Sequence, residues 1–196
     1  MKAIFINGPP NSGKDTAGRI LTARFNSHPH KVVLHKFAEP LKKAVHALFD
    51  LPAEDTPDAI DRQERKAELI DSVLFPALTY RQAYIDMSEQ VAKRLYRPDF
   101  FGHIACNSIL KKNWGSIHAF TDAGFAEEAM PVIEVLGKAN CLLIRLSRPG
   151  SDYVGDSRST IDLPCKVVDI ENRFTEDMFA AQVERAVEDW LRIERV

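Results

Sequence analysis

The residues with the clearest chemical meaning lie close to the start of the chain, in the string Gly8-Pro9-Pro10-Asn11-Ser12-Gly13-Lys14-Asp15-Thr16. Its spacing, G-x-x-x-x-G-K, is that of a phosphate-binding P-loop. A strand must turn abruptly into a helix while several backbone N–H groups converge on one anion. Glycines at 8 and 13 permit that backbone path and let a phosphate come close. Gly8, Asn11, Ser12 and Gly13 would line the cradle, the helix N-terminus would add partial positive charge, and Lys14 would reach the β- and γ-phosphates of ATP. The dinucleotide fingerprint G-x-G-x-x-G is a different spacing and is absent here.

Three oxygen-bearing side chains extend this chemistry. Asp15 stands where most P-loops carry the hydroxyl that binds Mg²⁺, and Thr16 follows it. Asp15 can meet Mg²⁺ through water or act on an acceptor hydroxyl, and it also fits as a solvated carboxylate favoured by the helix dipole. Asp122 is expected at the end of an apolar strand beside the loop-bearing strand. There it would hold Mg²⁺ through water or orient an acceptor, or cap the helix that follows. Thr16 and Asp122 are accordingly the candidate metal ligands.

The elements that must position these groups follow from hydrophobic periodicity. Residues 2–7 read as a buried strand, and a helix is expected from Lys14 to about Asn26. Residues 27–30 read as a loop, 32–37 as a second strand, and a helix begins at Ala38-Glu39-Pro40-Leu41. Helices are expected over 80–95, 98–111 and 126–136, and strands over 116–121, 141–146 and 166–170. An amphipathic helix over 175–192 closes the pattern, burying Phe179, Val183, Val187 and Leu191. Strands alternating with helices imply a three-layer α/β fold, a parallel sheet of about five strands flanked by helices. Ligands of such sheets gather at the carboxyl ends of the strands, here after Ile6, Phe37, Thr121 and Leu146. Residues 1–196 are expected to form one domain. Its core would be 1–50 and 115–196, with a helical acceptor-binding insertion over about 51–112 and a lid over about 147–164.

Composition narrows the setting. The chain has 196 residues, 45% hydrophobic and 28% charged, with a net charge of −2, which argues against a protein that coats nucleic acid indiscriminately. Its three cysteines are widely separated and imply neither disulfide framework nor zinc site. Nothing resembles a signal peptide or a membrane span, so the expected location is the cytoplasm.

Several segments, taken in order, resemble the bacteriophage deoxynucleoside monophosphate kinases. Ser12-Gly13-Lys14-Asp15-Thr16 is similar to that family's loop, and its G-K-x-T order also resembles adenylate kinases, in which the threonine helps hold phosphate. Phe37-Ala38-Glu39-Pro40-Leu41-Lys42 is similar to the second strand-to-helix junction. Thr79-Tyr80-Arg81-Gln82 is similar to a T-P-R-Q/E helix start, followed by a helix leading to Arg94. Thr121-Asp122-Ala123-Gly124-Phe125 falls where the family has D-x-R-F, and Arg145-Leu146-Ser147-Arg148-Pro149-Gly150 resembles the R-x-x-R-P that opens its lid.

The resemblance implies a P-loop NTPase fold with helical acceptor and lid insertions, ATP and Mg²⁺ as reactants, and a phage-infected host cytoplasm. It implies that Arg81 binds the acceptor, with Arg94 on the same helix, and that Arg145 and Arg148 serve the ATP phosphates or the lid. Asp86 and Glu89, one turn apart after Arg81, either line the acceptor pocket or form a polar helix face. Lys14, Asp15, Asp122 and Arg148 are the catalytic candidates. The departure is Gly124, where the family has arginine; Gly155-Asp156-Ser157-Arg158-Ser159 is only a partial match to the lid.

The leading expectation is therefore transfer of phosphate from ATP to a deoxynucleoside monophosphate. Gly124 keeps open a kinase acting on a hydroxyl, such as a hydroxymethyl-pyrimidine base in phage DNA, with Asp15, Asp86 or Asp122 as base. A non-catalytic nucleotide-binding protein is the third expectation. Helices over 80–111 leave a homodimer possible.

Overall fold

The computed structural model describes residues 1–27, 31–52, 54–62, 65–71, 75–111 and 116–193. The loop residues 28–30, parts of 51–75 and the expected core boundary at 115 lie outside them.

In chain order the strands and α-helices are β1 (Lys2–Asn7), α1 (Lys14–Arg24), β2 (Val32–His35), α2 (Glu39–Leu48), α3 (Pro57–Arg62), α4 (Tyr80–Asp86), α5 (Lys93–Leu95), α6 (Phe100–Lys111), β3 (Ile117–Phe120), α7 (Ala126–Leu136), β4 (Cys141–Ser147), β5 (Lys166–Glu171) and α8 (Glu176–Ile193). A π-helical stretch, Met87–Ala92, joins α4 to α5. The helix expected over 80–95 is therefore continuous but changes its winding. Strand β2 stops two residues short of the expected Phe37, because Phe37 turns its N–H to the Asp122 carboxylate at 2.8 Å instead of to a neighbouring strand.

All five strands are parallel, in the order β2-β3-β1-β4-β5. The crossover after β1 moves one way along the sheet and the crossover after β3 moves the other. Right-handed connections then put α1 and α7 on opposite faces. Side-chain alternation agrees. Ile4, Ile6, Ala119, Leu142 and Ile144 pack with Ala17 and Leu21 of α1 and with Val183, Val187 and Trp190 of α8. Phe5 and Phe120 alternate to the other side, where their rings stack with Phe37 at centroid distances of 4.5–6.4 Å. Near-continuous burial of the central strands is what a parallel sheet covered on both faces requires.

The chain divides into two compact units, residues 1–37 with 102–196 and residues 38–101. The first holds the whole sheet. The second begins at 38 rather than near 51, so α2 belongs with the helical segment. Its polar centre is Asp55, 9% exposed, which accepts from the Tyr80 hydroxyl at 2.8 Å and pairs with Arg65 at 2.5 Å. Those two hydrogen bonds, Arg65 first, hold the Asp55 carboxyl below its ordinary pKa. The Tyr80 phenol is pushed up to about 12 by burial and by this carboxylate. His46 stacks on Tyr80 and Tyr84 and lies 2.6 Å from the Tyr84 hydroxyl.

Candidate phosphate-binding site

The loop between β1 and α1 runs from the end of the strand straight into the helix. Gly13 takes the left-handed conformation, with φ +103°, and caps α1 without a side-chain hydrogen bond. Asn11 is also left-handed, with φ 62°. The first helical bond runs from Ala17 N–H to Gly13 O at 2.8 Å, so the N–H groups of residues 13–16 have no acceptor within the helix. Gly8 is needed for a different reason: a Cβ there would lie 2.5 Å from Ser12 Oγ and 2.7 Å from Leu146 O. Left-handed residues on either side of Ser12 and an open helix end are the features of an anion nest.

Two further observations test whether this loop suits a phosphate. Ser12 Oγ is fully buried and has no hydrogen-bond partner among the described residues, an orphan that a bound anion or water would satisfy. Lys14 Nζ donates to the carbonyls of Gly8 at 2.7 Å and Pro9 at 2.6 Å, so its ammonium lies folded over the loop. Burial, followed by the charge of Arg158, lowers its pKa from 10.5 to about 8, against opposing pulls from Asp15, Asp156 and Asp122. The residues fit the group.

The loop is braced from beneath. Asn172, just after β5, donates its side-chain amide to Ser12 O at 3.1 Å and its backbone N–H to Ser147 O at 2.7 Å. From the end of β4, Arg148 Nη1 reaches Asn11 O at 3.2 Å. Arg148 is thus beside the loop. Arg145 is engaged elsewhere: its guanidinium meets Asp169 at 2.7 and 2.9 Å and Asp162 at 2.5 Å, contacts that raise its pKa.

The carboxylates lie at the strand ends. Asp15 is exposed, accepts from the Thr121 hydroxyl at 3.3 Å and lies 3.6 Å from Lys36 Nζ. Thr16 Oγ1 accepts from Arg19 at 3.2 Å. Asp122 does not cap α7; the residue at that position is Phe125, with no side-chain bond, and Asp122 instead fastens the Phe37 N–H. Among the described residues no group of three or more His, Cys, Asp or Glu could hold a metal by itself. Asp15, Thr16 and Asp122 offer the hard oxygen donors that Mg²⁺ takes, with substrate phosphates and water completing its shell. The other candidates, Arg81, Asp86, Glu89 and Arg94, are exposed residues of the second unit. Asp86 accepts from Gln82 at 2.8 Å and Glu89 from Lys93 at 2.9 Å.

Of three further contributors, Asn7 had no separate signal in the sequence, and Asp156 and Arg158 entered only within a partial match to the lid. Asn7, 1% exposed, donates to Ala123 O at 2.8 Å and Ser159 O at 3.0 Å, and accepts from Tyr153 at 3.2 Å. It ties the end of β1 to the end of β3 and to the segment before β5. Asp156 and Arg158 on that segment form a bidentate pair at 2.8 and 2.6 Å. Hydrogen bonds from Arg158 hold the Asp156 carboxyl at about 2.

No helix among the described residues is long and apolar enough to cross a membrane. No family model matches the chain, and no curated protein matches it. Among solved structures, a thymidylate kinase from Candida albicans is similar at 13% identity and a TM-score of 0.40, over 96% of this chain and 91% of that one.

Proposed function

We propose that the protein is an ATP-dependent phosphotransferase of the nucleotide kinase type, with a deoxynucleoside monophosphate as acceptor. The observation that carries this reading is the loop of residues 8–16, an anion nest with a half-buried lysine ammonium folded over it. ATP would lay its β- and γ-phosphates against the N–H groups of residues 13–16. Lys14 would exchange its carbonyl partners for phosphate oxygens, and Arg148 would add a second cation from the end of β4. Asp122 and Thr16 would hold Mg²⁺, whose contribution is to neutralise the charge of the phosphates. Chemistry of this kind is mostly positioning and charge compensation, which is what a preorganised loop on a central strand supplies. Arg81, Asp86, Glu89 and Arg94 remain acceptor contacts on resemblance alone. Arg145 then braces the β4–β5 pair instead of touching ATP.

A hydroxyl-bearing acceptor, such as a hydroxymethyl-pyrimidine in DNA, is the second reading. It is favoured by the exposed Asp15 carboxylate on the first turn of α1, a group open to act as base. Incubation with labelled ATP and either the four deoxynucleoside monophosphates or hydroxymethylated DNA separates the two. Label on the free nucleotides supports the first, and label confined to the polymer supports the second. With the productive acceptor, Lys14→Ala should lower the transfer rate by about a thousandfold or more while leaving the circular dichroism spectrum unchanged. Near-normal turnover in that variant would end the assignment.

A further inference from the structure

Position 124 carries no side chain of its own, yet its space is filled. A Cβ built on Gly124 would lie 2.3 Å from Cδ of Arg158, 2.4 Å from its Cγ and 3.0 Å from its Cβ. The stem of Arg158 therefore lies directly on the backbone after β3, at the carboxyl edge of the sheet. Its head is not loose. Nε and Nη2 donate to the two oxygens of Asp156 at 2.8 and 2.6 Å, and the backbone N–H of Arg158 reaches the same carboxylate at 2.9 Å. Asp156 is itself 12% exposed. Among the described residues Nη1 has no hydrogen-bond partner, and the side chain is 29% exposed, so the oriented guanidinium keeps donor capacity for a further acceptor.

Asn7, the residue before the phosphate-binding loop, donates to Ala123 O at 2.8 Å and to Ser159 O at 3.0 Å, so the neighbours of Gly124 and of Arg158 are both held at the end of β1. The charge of Arg158 is felt by Lys14 and disfavours its ammonium, while Asp122 acts on Arg158 in the opposite sense. Two cations drawn from distant parts of the chain are thus held within electrostatic range of each other. Asp122 and Asp156 offset part of their mutual repulsion, and a phosphate between them would offset more. A planar guanidinium fixed by a carboxylate on one edge is suited to accept phosphate oxygens on the other.

Resting on the kinase reading of the loop, we infer that Arg158 is a phosphate-binding residue of this site, that Asp156 is its positioning residue, and that Gly124 is glycine to admit it. The ligand chemistry is a phosphate oxyanion, borne either by the acceptor monophosphate or by ATP. An acceptor phosphate needs a cation beside the one on the loop, and this assignment supplies it where the sequence shows only a glycine.

The test reads binding instead of turnover, using the full chain and calorimetry. The probes are a nonhydrolysable ATP analogue and the four deoxynucleoside monophosphates, each compared with its nucleoside. Arg158→Ala should weaken one of the phosphate ligands by about tenfold to a hundredfold, with the nucleosides unaffected. Loss for the monophosphate identifies the acceptor, and loss for the analogue identifies the donor. Should Arg158→Ala fold poorly, Gly124→Ala keeps the charge but displaces the stem. Gly124 is not among the left-handed glycines, so its backbone accepts alanine, and the same loss is expected. Unchanged affinities in a folded variant, with only stability lowered, would reduce the Arg158–Asp156 pair to a brace and overturn the inference. Failure of the kinase reading shows separately, as analogue binding indifferent to Lys14→Ala.

Discussion

Lys14 brings two competing demands onto one nitrogen. Its ammonium must leave water to sit against the loop carbonyls, and it must still be charged when a triphosphate arrives. Burial and the neighbouring Arg158 bring its pKa to about 8, so near neutral pH most molecules are charged and above that fewer are. A bound triphosphate favours the charged form and moves the pKa back up. Binding at about pH 8.5 should then take up protons, with much less uptake at about pH 7. Calorimetry in buffers of different ionisation enthalpy measures this directly, and Lys14→Met should abolish it. Affinity should correspondingly fall as pH rises through 8. Folding shows the opposite sign. The unfolded lysine keeps its proton to about 10.5, so Lys14 disfavours the unliganded fold below 8, and that penalty disappears between 8 and 10.5. Asp156 behaves as a stabilising carboxylate. Its contribution is complete above 3.8 and is lost as pH falls through about 2.

At the scale of the element, the β1–loop–α1 unit depends on one left-handed glycine. An alanine at 13 would hold φ near +103°, costing about 1–2 kcal/mol, and its Cβ would lie 2.7 Å from Asn172 Nδ2. Gly13→Ala should therefore destabilise the protein by at least that amount in urea titrations and weaken binding of an ATP analogue. Adding Asn172→Ala removes the crowding but not the backbone strain, so the double variant should lose less than the sum of the singles. Additive losses would mean that Asn172 does not press on Gly13. The same contrast explains what was legible beforehand. The loop is a local structure, specified by spacing within nine residues, and the strands were visible as apolar runs. The Asp156–Arg158 pair was visible only as part of a partial match to a lid, because its meaning depends on the segment before β5 folding back over Gly124 and Asn7. Nor did Asn7 stand out: it reads as the last residue of a strand until its four partners from two other segments are seen. The π-helical winding of Met87–Ala92 escaped for another reason, since the apolar pattern of residues 80–95 is compatible with an unbroken α-helix.

At the scale of the molecule, β1 lies at the centre of the sheet, and the phosphate-binding loop is the direct continuation of its buried run. A ligand clasped there is coupled to the core of the first unit, because the loop cannot open without disturbing contacts from β4 and β5 through Leu146 and Asn172. A nonhydrolysable ATP analogue at a hundred times its Kd should then stabilise the native state by about 2.7 kcal/mol. For a chain of this length that corresponds to a rise in Tm of roughly 5–10 °C. Lys14→Ala should show a smaller rise at the same concentration. Hydrogen exchange tells which unit responds. Amides of β1, β3 and β4 should slow with the analogue alone, since the loop and its supports all belong to the first unit. If Arg81 and Arg94 serve the acceptor, amides of α4 and α5 should slow only when a deoxynucleoside monophosphate is added. Protection of the second unit by the analogue alone would instead assign those arginines to the donor, and no protection there under any condition would leave the acceptor to the first unit's own cations.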